Sequence, residues 1–309
     1  MQRFVQLLVV RVFVGLAIVC LAACGGNSTT TPVVVQHLYV ANDNTPGQVL
    51  VYTLPITSTS TPAVTLSNAA TANLVAVAVD ANGNIATGDN AGHLAVFNAP
   101  ITASTTAAAT FNNGAASNNG QLVFNSAGDL FAPTVSTNVN LFTHPLTSAS
   151  TPSQSITGGG TTSTIGAGLD SSGNLVIANA GGAGSNLVVF APPYSGAPAV
   201  VTPAVVGTAY RKLAFTSTQL FVCSVAGGTG RVDVYTLPLT AASVPAFSMT
   251  NVNTPEGIAL DSSGNLYVGN LSDATIRVFT PPFSAGQVPS VTITATPAPF
   301  AIFGIAVGK

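Results

Sequence analysis

Charged side chains are rare in this chain, and the few that could do chemistry recur at equivalent places in a repeating pattern. The 309 residues include seven Lys or Arg and nine Asp or Glu. The charged residues that do not cap a turn lie just before the first strand or just after the second strand of a repeat. Three Asn residues lie at the same positions of the repeat. They are Asn42, Asp43, Asp89, Asn179, Arg211, Lys212, Glu256, Asn270 and Asp273. In a ring of such repeats these positions open on one face, so the sequence predicts a binding face there.

Familiar catalytic patterns are missing. His37, His93 and His144 fall at different points of the repeat, and strand direction places His93 on the face opposite the other two, which argues against a three-histidine metal site. No G-x-S-x-G nucleophile motif occurs. With no Trp and no C-x-x-C-H motif, haem and quinone-cofactor propellers are also disfavoured. We therefore predict no catalytic residue and no cofactor.

Composition excludes two further features. Without the first 23 residues the chain carries nine acidic groups against five basic ones, and binding to a nucleic-acid backbone requires clustered basic residues. We therefore predict no nucleic-acid partner. Cys223 would then be the one thiol outside the lipidation site described next, so no intramolecular disulfide can form.

The first 36 residues predict export and a lipid anchor. Arg3 and Arg11 precede an apolar run, and Leu21-Ala22-Ala23-Cys24 ends it. This tetrapeptide resembles the lipobox of bacterial lipoproteins, which implies cleavage before Cys24 and lipidation of its thiol. Gly25 follows in place of the aspartate that retains such proteins at the inner membrane of enteric bacteria. We expect a signal peptide over 1–23, a lipidated flexible tether over 24–36 and attachment to the outer membrane.

An aromatic residue followed three positions later by proline marks six repeats. The aromatic residues are spaced by 45, 45, 48, 45 and 44 positions, and they are Tyr52, Phe97, Phe142, Phe190, Tyr235 and Phe279. A period of this length with four short strands per unit is typical of a propeller blade. The sequence therefore predicts an all-β, six-bladed β-propeller over 37–309.

A second marker is a turn that joins the first two strands of a unit. It reads DANGN from Asp80, NSAGD from Asn125 and DSSGN from both Asp170 and Asp261. Asp or Asn opens such a turn by accepting backbone hydrogen bonds, and Gly adopts positive φ. Turn capping is therefore the expected role of these residues. The copy near Thr216 lacks the glycine, and we expect a looser turn there.

The first unit lacks its innermost strand, because nothing before His37 resembles the inner strand of the other units. Residues 303–307 (FGIAV) do resemble one, and the following turn is missing. We therefore expect residues 303–307 to pair within the first blade and close the ring. Closure leaves no unpaired sheet edge, and unpaired edges promote aggregation.

The last blade carries a family resemblance. Pro255–Phe279, with PEGIALDSSGNLYVGN and IRVF, resembles an NHL repeat of the broad superfamily that includes gluconolactonase-like propellers. That resemblance implies a divalent cation held in the channel by Glu, Asn and Asp residues. Glu256 is placed as such a ligand, and Asn179 and Asn270 could join it. No inner strand supplies a partner aspartate, and a single carboxylate makes a poor Ca²⁺ site. We therefore expect Glu256 to pair with Arg211 or Lys212 on the neighbouring blade.

Two functions follow from these observations. The first is a monomeric envelope lipoprotein, attached to the membrane by its lipid, whose channel-mouth face binds a protein or a glycan. The second is a metal-dependent lactonase that uses Glu256 and a channel-bound Ca²⁺ or similar ion. The lack of further carboxylates favours the first, without a metal.

Overall fold

The computed structural model describes residues 35–43, 46–68, 73–114, 119–181, 184–295 and 301–309. All the regular elements in these ranges are β-strands, in six antiparallel sheets. Among these residues, no helix has the length and apolar character needed to cross a bilayer. The predicted all-β, six-bladed propeller is confirmed.

The first three blades contain eleven consecutive strands and one distant strand. From the channel outwards, blade 1 contains β25 (Ile302–Gly308), β1 (His37–Asn42), β2 (Gly47–Thr53) and β3 (Val64–Asn68). Blade 2 contains β4 (Leu74–Val79), β5 (Ile85–Asp89), β6 (His93–Phe97) and β7 (Ala109–Asn112). Blade 3 contains β8 (Val123–Phe124), β9 (Leu130–Pro133), β10 (Asn138–Phe142) and β11 (Gln154–Thr157).

The last three blades follow the same order, with one additional strand. Blade 4 contains β12 (Thr164–Leu169), β13 (Leu175–Gly181), β14 (Gly184–Phe190), β15 (Val200–Val201) and the unpredicted β16 (Val205–Val206), which also pairs with β14. Blade 5 contains β17 (Thr208–Phe215), β18 (Gln219–Ala226), β19 (Thr229–Thr236) and β20 (Phe247–Met249). Blade 6 contains β21 (Pro255–Leu260), β22 (Leu266–Asn270), β23 (Thr275–Phe279) and β24 (Val291–Thr294).

Strand β25 closes the ring as the sequence predicts. It runs antiparallel to β1, with Val307 opposite Leu38 and Ile305 opposite Val40. The Tyr39 hydroxyl donates a hydrogen bond of 2.6 Å to the Lys309 main-chain oxygen. Because β1 also pairs with β2 on its other side, both of its edges are satisfied.

The repeated aromatic residues stabilise the contacts between blades. Buried apolar side chains form six clusters, and each cluster joins two consecutive blades around the ring. Each cluster contains one aromatic residue of the repeat, and all six are at most 1 % exposed. The peptide bond before the proline of each repeat is cis. Burial of one large side chain per interface explains the strict spacing of the aromatic residues.

The D-S-S-G-N turns form as predicted. In the last copy, Asp261 Oδ1 accepts hydrogen bonds of 2.9 Å from the main-chain nitrogens of Ser263 and Asn265, and Gly264 has φ +81°. The copies at Asp80, Asn125 and Asp170 repeat these contacts. The prediction of a looser turn at Thr216 is wrong. Its main-chain nitrogen donates to Gln219 O and its Oγ1 accepts from Gln219 N, both at 2.9 Å, which closes a shorter turn.

Blades 4 and 5 approach each other closely because the inner strand of blade 4 contains two glycines. A Cβ on Gly166 would lie 2.2 Å from the main-chain oxygen of Arg211, and one on Gly168 would lie 2.4 Å from the Phe215 ring. Any side chain at either position would force the two inner strands apart. The contact brings β17, with Arg211 and Lys212, well into the channel.

Candidate functional site

Bulges in the innermost strands direct side chains into one end of the central channel. Strand pairing leaves one extra residue in each of β4, β12, β21 and β17, and in β17 Arg211 and Lys212 together lie opposite the single residue Cys223. Strand β25 has an equivalent irregularity opposite Ala41 and Asn42. A bulge leaves its extra residue unpaired and re-aims the side chain. The end where these strands begin is called the channel mouth below.

The bulge residues line a pocket of about 100 Å³ at the channel mouth, called the mouth pocket. Its lining includes Val75, Ile165, Arg211, Lys212, Glu256 and Phe303. Arg211 and Lys212 come from the bulge of blade 5, and Glu256 comes from blade 6. The repeat thus brings together three of the nine residues that the sequence predicts for the binding face.

Glu256 and Arg211 form a buried ion pair in the mouth pocket. The Arg211 Nε atom lies 3.1 Å from Glu256 Oε1, and the Glu256 side chain is 7 % exposed. The Nε atom is not aligned for a hydrogen bond, so the contact is electrostatic. Burial raises the pKa of Glu256, and the positive charges of Arg211 and Lys212 offset only part of that rise.

Lys212 spans the channel. Its Nζ atom donates a hydrogen bond of 2.5 Å to the main-chain oxygen of Val75 in blade 2, on the opposite side of the ring. The residue is 5 % exposed. Burial lowers its pKa to about 8, with a smaller contribution from Arg211, while Glu256 and Cys223 act in the opposite direction. Lys212 has no carboxylate within ion-pair distance among the described residues.

Gln121 makes a second connection across the channel. Its Nε2 atom donates to Leu213 O and its Oε1 atom accepts from Leu213 N, both at 2.7 Å. These bonds join blade 3 to blade 5, past the recessed inner strand of blade 4. Beyond Gln121 the channel continues as a wider cavity of about 250 Å³, lined by Val77, Val123, Phe215, Leu260 and Val307 among others. The charged groups therefore lie at one end of the channel, and a cavity lined mainly by residues with uncharged side chains lies at the other.

The other predicted residues of the face serve mainly their own loops. Asp89 Oδ2 lies 2.7 Å from His93 Nδ1, and Asn179 Oδ1 accepts from Thr162 N. Asn270 Oδ1 accepts from Asn253 N at 2.7 Å. All three predicted residues are at most 3 % exposed, so little of each reaches the surface.

Asp273, Asn42 and Asp43 lie outside the mouth pocket as well. Asp273 pairs with Arg277 at 2.7 Å. Burial acts to raise its pKa, but hydrogen bonds from Thr275 and Asn253 and the Arg277 charge outweigh burial and lower the pKa overall. Asn42 is 1 % exposed, and its Nδ2 atom lies 3.5 Å from Gln48 Oε1. Burial raises the pKa of Asp43. Cys24 lies outside the described residues.

The residues of the mouth pocket do not fit a divalent cation. Glu256 is the one carboxylate in its lining, and two cationic side chains surround it. Asn179 and Asn270, which could have joined it, are bound to their own loops. Within the described ranges, no three His, Cys, Asp or Glu side chains form a group that could hold a metal ion. Ca²⁺ requires six to eight oxygen ligands, and this pocket supplies one carboxylate.

Two contributors to the mouth were not identified from sequence. The Val75 main-chain oxygen accepts the Lys212 hydrogen bond, and Phe303 forms part of the wall. The repeat alignment holds a signal for both, because each directly precedes a small residue of an inner strand (Ala76 and Gly304), as Glu256 precedes Gly257. Cys223 is fully buried nearby, and burial raises the pKa of its thiol.

Comparison with known proteins places the chain among β-propellers. No family model matches it, and no curated protein matches its sequence. Among solved structures, a Lactobacillus plantarum protein is 12 % identical over 89 % of this chain and 100 % of its own, with a TM-score of 0.60. A Bacteroides fragilis protein, provisionally assigned as a 6-phosphogluconolactonase, is 11 % identical over 91 % and 99 %, with a TM-score of 0.63.

A Bacteroides uniformis protein with the same provisional assignment is 14 % identical, over 86 % of this chain and 84 % of its own, with a TM-score of 0.62. Identities this low establish a shared fold and nothing about activity, because one fold carries many functions. The class of the protein is therefore that of the six-bladed β-propellers.

Proposed function

We propose that this protein is a binding module of the bacterial cell envelope that takes a protein or glycan partner at its channel mouth. The observation that supports this role is the convergence of Arg211, Lys212 and Glu256 in the mouth pocket. Buried charged groups are costly to maintain for stability alone, so their clustering in a cleft favours a functional role. Propellers present their loops around such a mouth, which suits recognition of a partner.

The alternative is a lactonase, suggested by the provisional names of two solved propellers and by Glu256. A metal-dependent reaction would need a cation at Glu256, where Arg211 already lies at 3.1 Å. The ion pair and the lack of further carboxylates in the pocket therefore favour binding over hydrolysis.

The first experiment is a thermal-shift titration of the full-length protein with Ca²⁺, Mg²⁺, Mn²⁺ and Zn²⁺. Ligands that bind the native state raise the melting temperature as their concentration increases. We expect no saturable shift with any of these ions. The same titration of Glu256→Gln, with Asp273→Asn as the matched control outside the pocket, identifies the site of any response. A saturable shift that Glu256→Gln removes and Asp273→Asn retains would establish the metal site and contradict the proposal.

The envelope location rests on a lipid at Cys24. We propose that Cys24 is diacylated and that the chain is held at the outer membrane through the tether 24–36. Replacing Cys24 with Ser removes the thiol that carries the lipid, and we expect the protein to move from the membrane fraction to the soluble fraction. Cell fractionation with metabolic labelling by a fatty acid measures both effects, and Cys223→Ser is the matched control. Retention of Cys24→Ser in the membrane fraction would contradict the anchor.

A further inference from the structure

We propose that the mouth pocket binds a small organic monocarboxylate, with the carboxylate group held between Arg211 and Lys212. The inference rests on the proposed use of the channel mouth for binding and specifies the chemistry of the group that it recognises. Charge, hydrogen bonding and size support it independently.

The charges of the mouth pocket do not balance. Arg211 and protonated Lys212 contribute two positive charges, and Glu256 contributes one negative charge, which leaves a net charge of +1 in the pocket lining. The nearby thiol of Cys223 is neutral, because burial raises its pKa. An incompletely compensated buried charge is unfavourable, and binding of one monoanion would neutralise the pocket. A phosphate dianion would overcompensate this charge and leave the pocket net negative.

Donor atoms of the pocket are free to hold a carboxylate. The one hydrogen bond of Lys212 Nζ to a described residue goes to the neutral main-chain oxygen of Val75, although an ammonium group has three donors. Arg211 donates no hydrogen bond to any described residue, and its side chain is 32 % exposed, so its terminal nitrogens can face the pocket. Guanidinium groups bind carboxylates through two parallel hydrogen bonds. Lys212 would then contact the same group from the other side.

The size and walls of the pocket limit what the carboxylate can carry. A volume of about 100 Å³ is well below that of the pockets that hold drug-sized ligands, so only a small molecule can enter. Val75, Val135, Ile165 and Phe303 supply apolar walls beside the cations. A short aliphatic chain matches these walls, whereas a large or highly polar ligand does not fit. The ligand class is therefore an acid of about three or four carbons.

Binding is linked to protonation of the pocket. Lys212 must be charged to attract the anion, and the groups that face it are Arg211, Glu256 and Cys223. Since the pKa of Lys212 is about 8, the affinity for the anion should fall as the pH rises through 8. An exposed lysine would retain its charge to about pH 10. The pH dependence therefore reports on Lys212 itself.

The test uses propionate as the probe, with chloride and phosphate at equal ionic strength. We expect propionate to raise the melting temperature of the full-length protein saturably at pH 7 and weakly at pH 9.5. Lys212→Met and Arg211→Gln should abolish the shift. Arg277→Gln, which removes a cation paired with Asp273 outside the pocket, should preserve it. An equal shift with chloride or phosphate, or a shift that both pocket variants retain, would overturn the proposal.

A second readout needs no variant and guards against misfolding. Lys212 and Lys309 are the two lysines of the chain, so reductive methylation followed by peptide mass spectrometry compares one pocket lysine with one exposed lysine. Propionate should slow methylation of Lys212 several-fold and leave Lys309 unchanged. Equal rates at Lys212 with and without propionate would reject the carboxylate site. The proposed binding role would then remain, because a response to divalent metals is what contradicts it.

Discussion

Carboxylate side chains have different roles at different positions of the repeat. Asp261 and Asp89 both accept main-chain hydrogen bonds two and four residues ahead, and both act as caps of turns. Glu256 accepts no main-chain hydrogen bond from the described residues and instead lies 3.1 Å from Arg211 Nε in the mouth pocket. The residue at the bulge of an inner strand is therefore available for recognition, whereas the residue that ends a second strand is occupied by its own loop.

The pKa of Lys212 predicts how stability changes with pH. The folded value of about 8 lies below the ordinary value of 10.5, so between these values the unfolded chain binds more protons than the folded chain. Stability must then rise as the pH increases through 8. Between pH 7.5 and 9 we expect a gain of about 1 kcal/mol in the free energy of unfolding.

Urea denaturation at a series of pH values measures this gain, and Lys212→Met is the reference. That variant retains the length of the side chain but cannot titrate, so the difference between the two proteins isolates Lys212. Above pH 9 ionisation of Cys223 and the buried tyrosines in the unfolded chain opposes the trend, which is why the window ends there. Parallel curves for the two proteins would show that Lys212 has an ordinary pKa.

At the scale of the strand, replacing an inner-strand glycine by alanine should destabilise the fold by different amounts at Gly166 in blade 4 and at Gly257 in blade 6. A Cβ on Gly166 would lie 2.2 Å from the Arg211 main-chain oxygen, which cannot move without moving β17. A Cβ on Gly257 would meet Ile305 atoms at 3.2 Å, a tight contact that small shifts relieve. We expect Gly166→Ala to lower the free energy of unfolding by about 2–3 kcal/mol, and Gly257→Ala by less than about 1 kcal/mol.

Chemical denaturation of both variants measures this difference, with Gly257→Ala as the matched control for loss of glycine in an inner strand. Because Gly166 contacts the strand that carries Lys212, Gly166→Ala should also change the methylation rate of Lys212. Equal destabilisation by the two substitutions would show that blades 4 and 5 are less closely packed than described here.

The strands and their order could be predicted because local chemistry repeats with them. Asp or Asn before Gly defines four of the hairpins, and one buried aromatic residue defines each blade interface, so both recur along the sequence. The bulge at Arg211 and Lys212 could not be predicted in this way. It depends on the register between β17 and β18, which is set by packing against Gly166 and by the Gln121 contact with Leu213. Sequence therefore predicted that Glu256 meets Arg211 or Lys212, which the 3.1 Å contact with Arg211 confirms, but not that Lys212 reaches across the channel to Val75.

At the scale of the whole molecule, closure by β25 predicts that the ring is one cooperative unit. Deleting residues 303–309 would expose the inner edge of β1 and remove the buried Ile305 from the interface between blades 1 and 6. We expect the melting temperature to fall by at least about 10 °C, because a loss above about 4 kcal/mol corresponds to such a shift in a domain of this size.

Differential scanning calorimetry of the shortened protein tests this expectation. Removal of Lys309 alone is the control, because it leaves the pairing of β25 with β1 in place. A shortened protein that melts like the full chain would show that blade 1 is stable with three strands.

The pairing of β1 with β25 also has a consequence for protein synthesis. Tyr39 and Lys309 are in contact although they are 270 positions apart. A ribosome that adds about 5–20 residues per second needs roughly 14–54 s to make the intervening chain. During that time the inner edge of β1 has no neighbour, while later blades can already form from adjacent segments. The nascent chain therefore presents an open strand edge for most of its translation, and chaperone binding near residues 37–42 would protect it until β25 emerges.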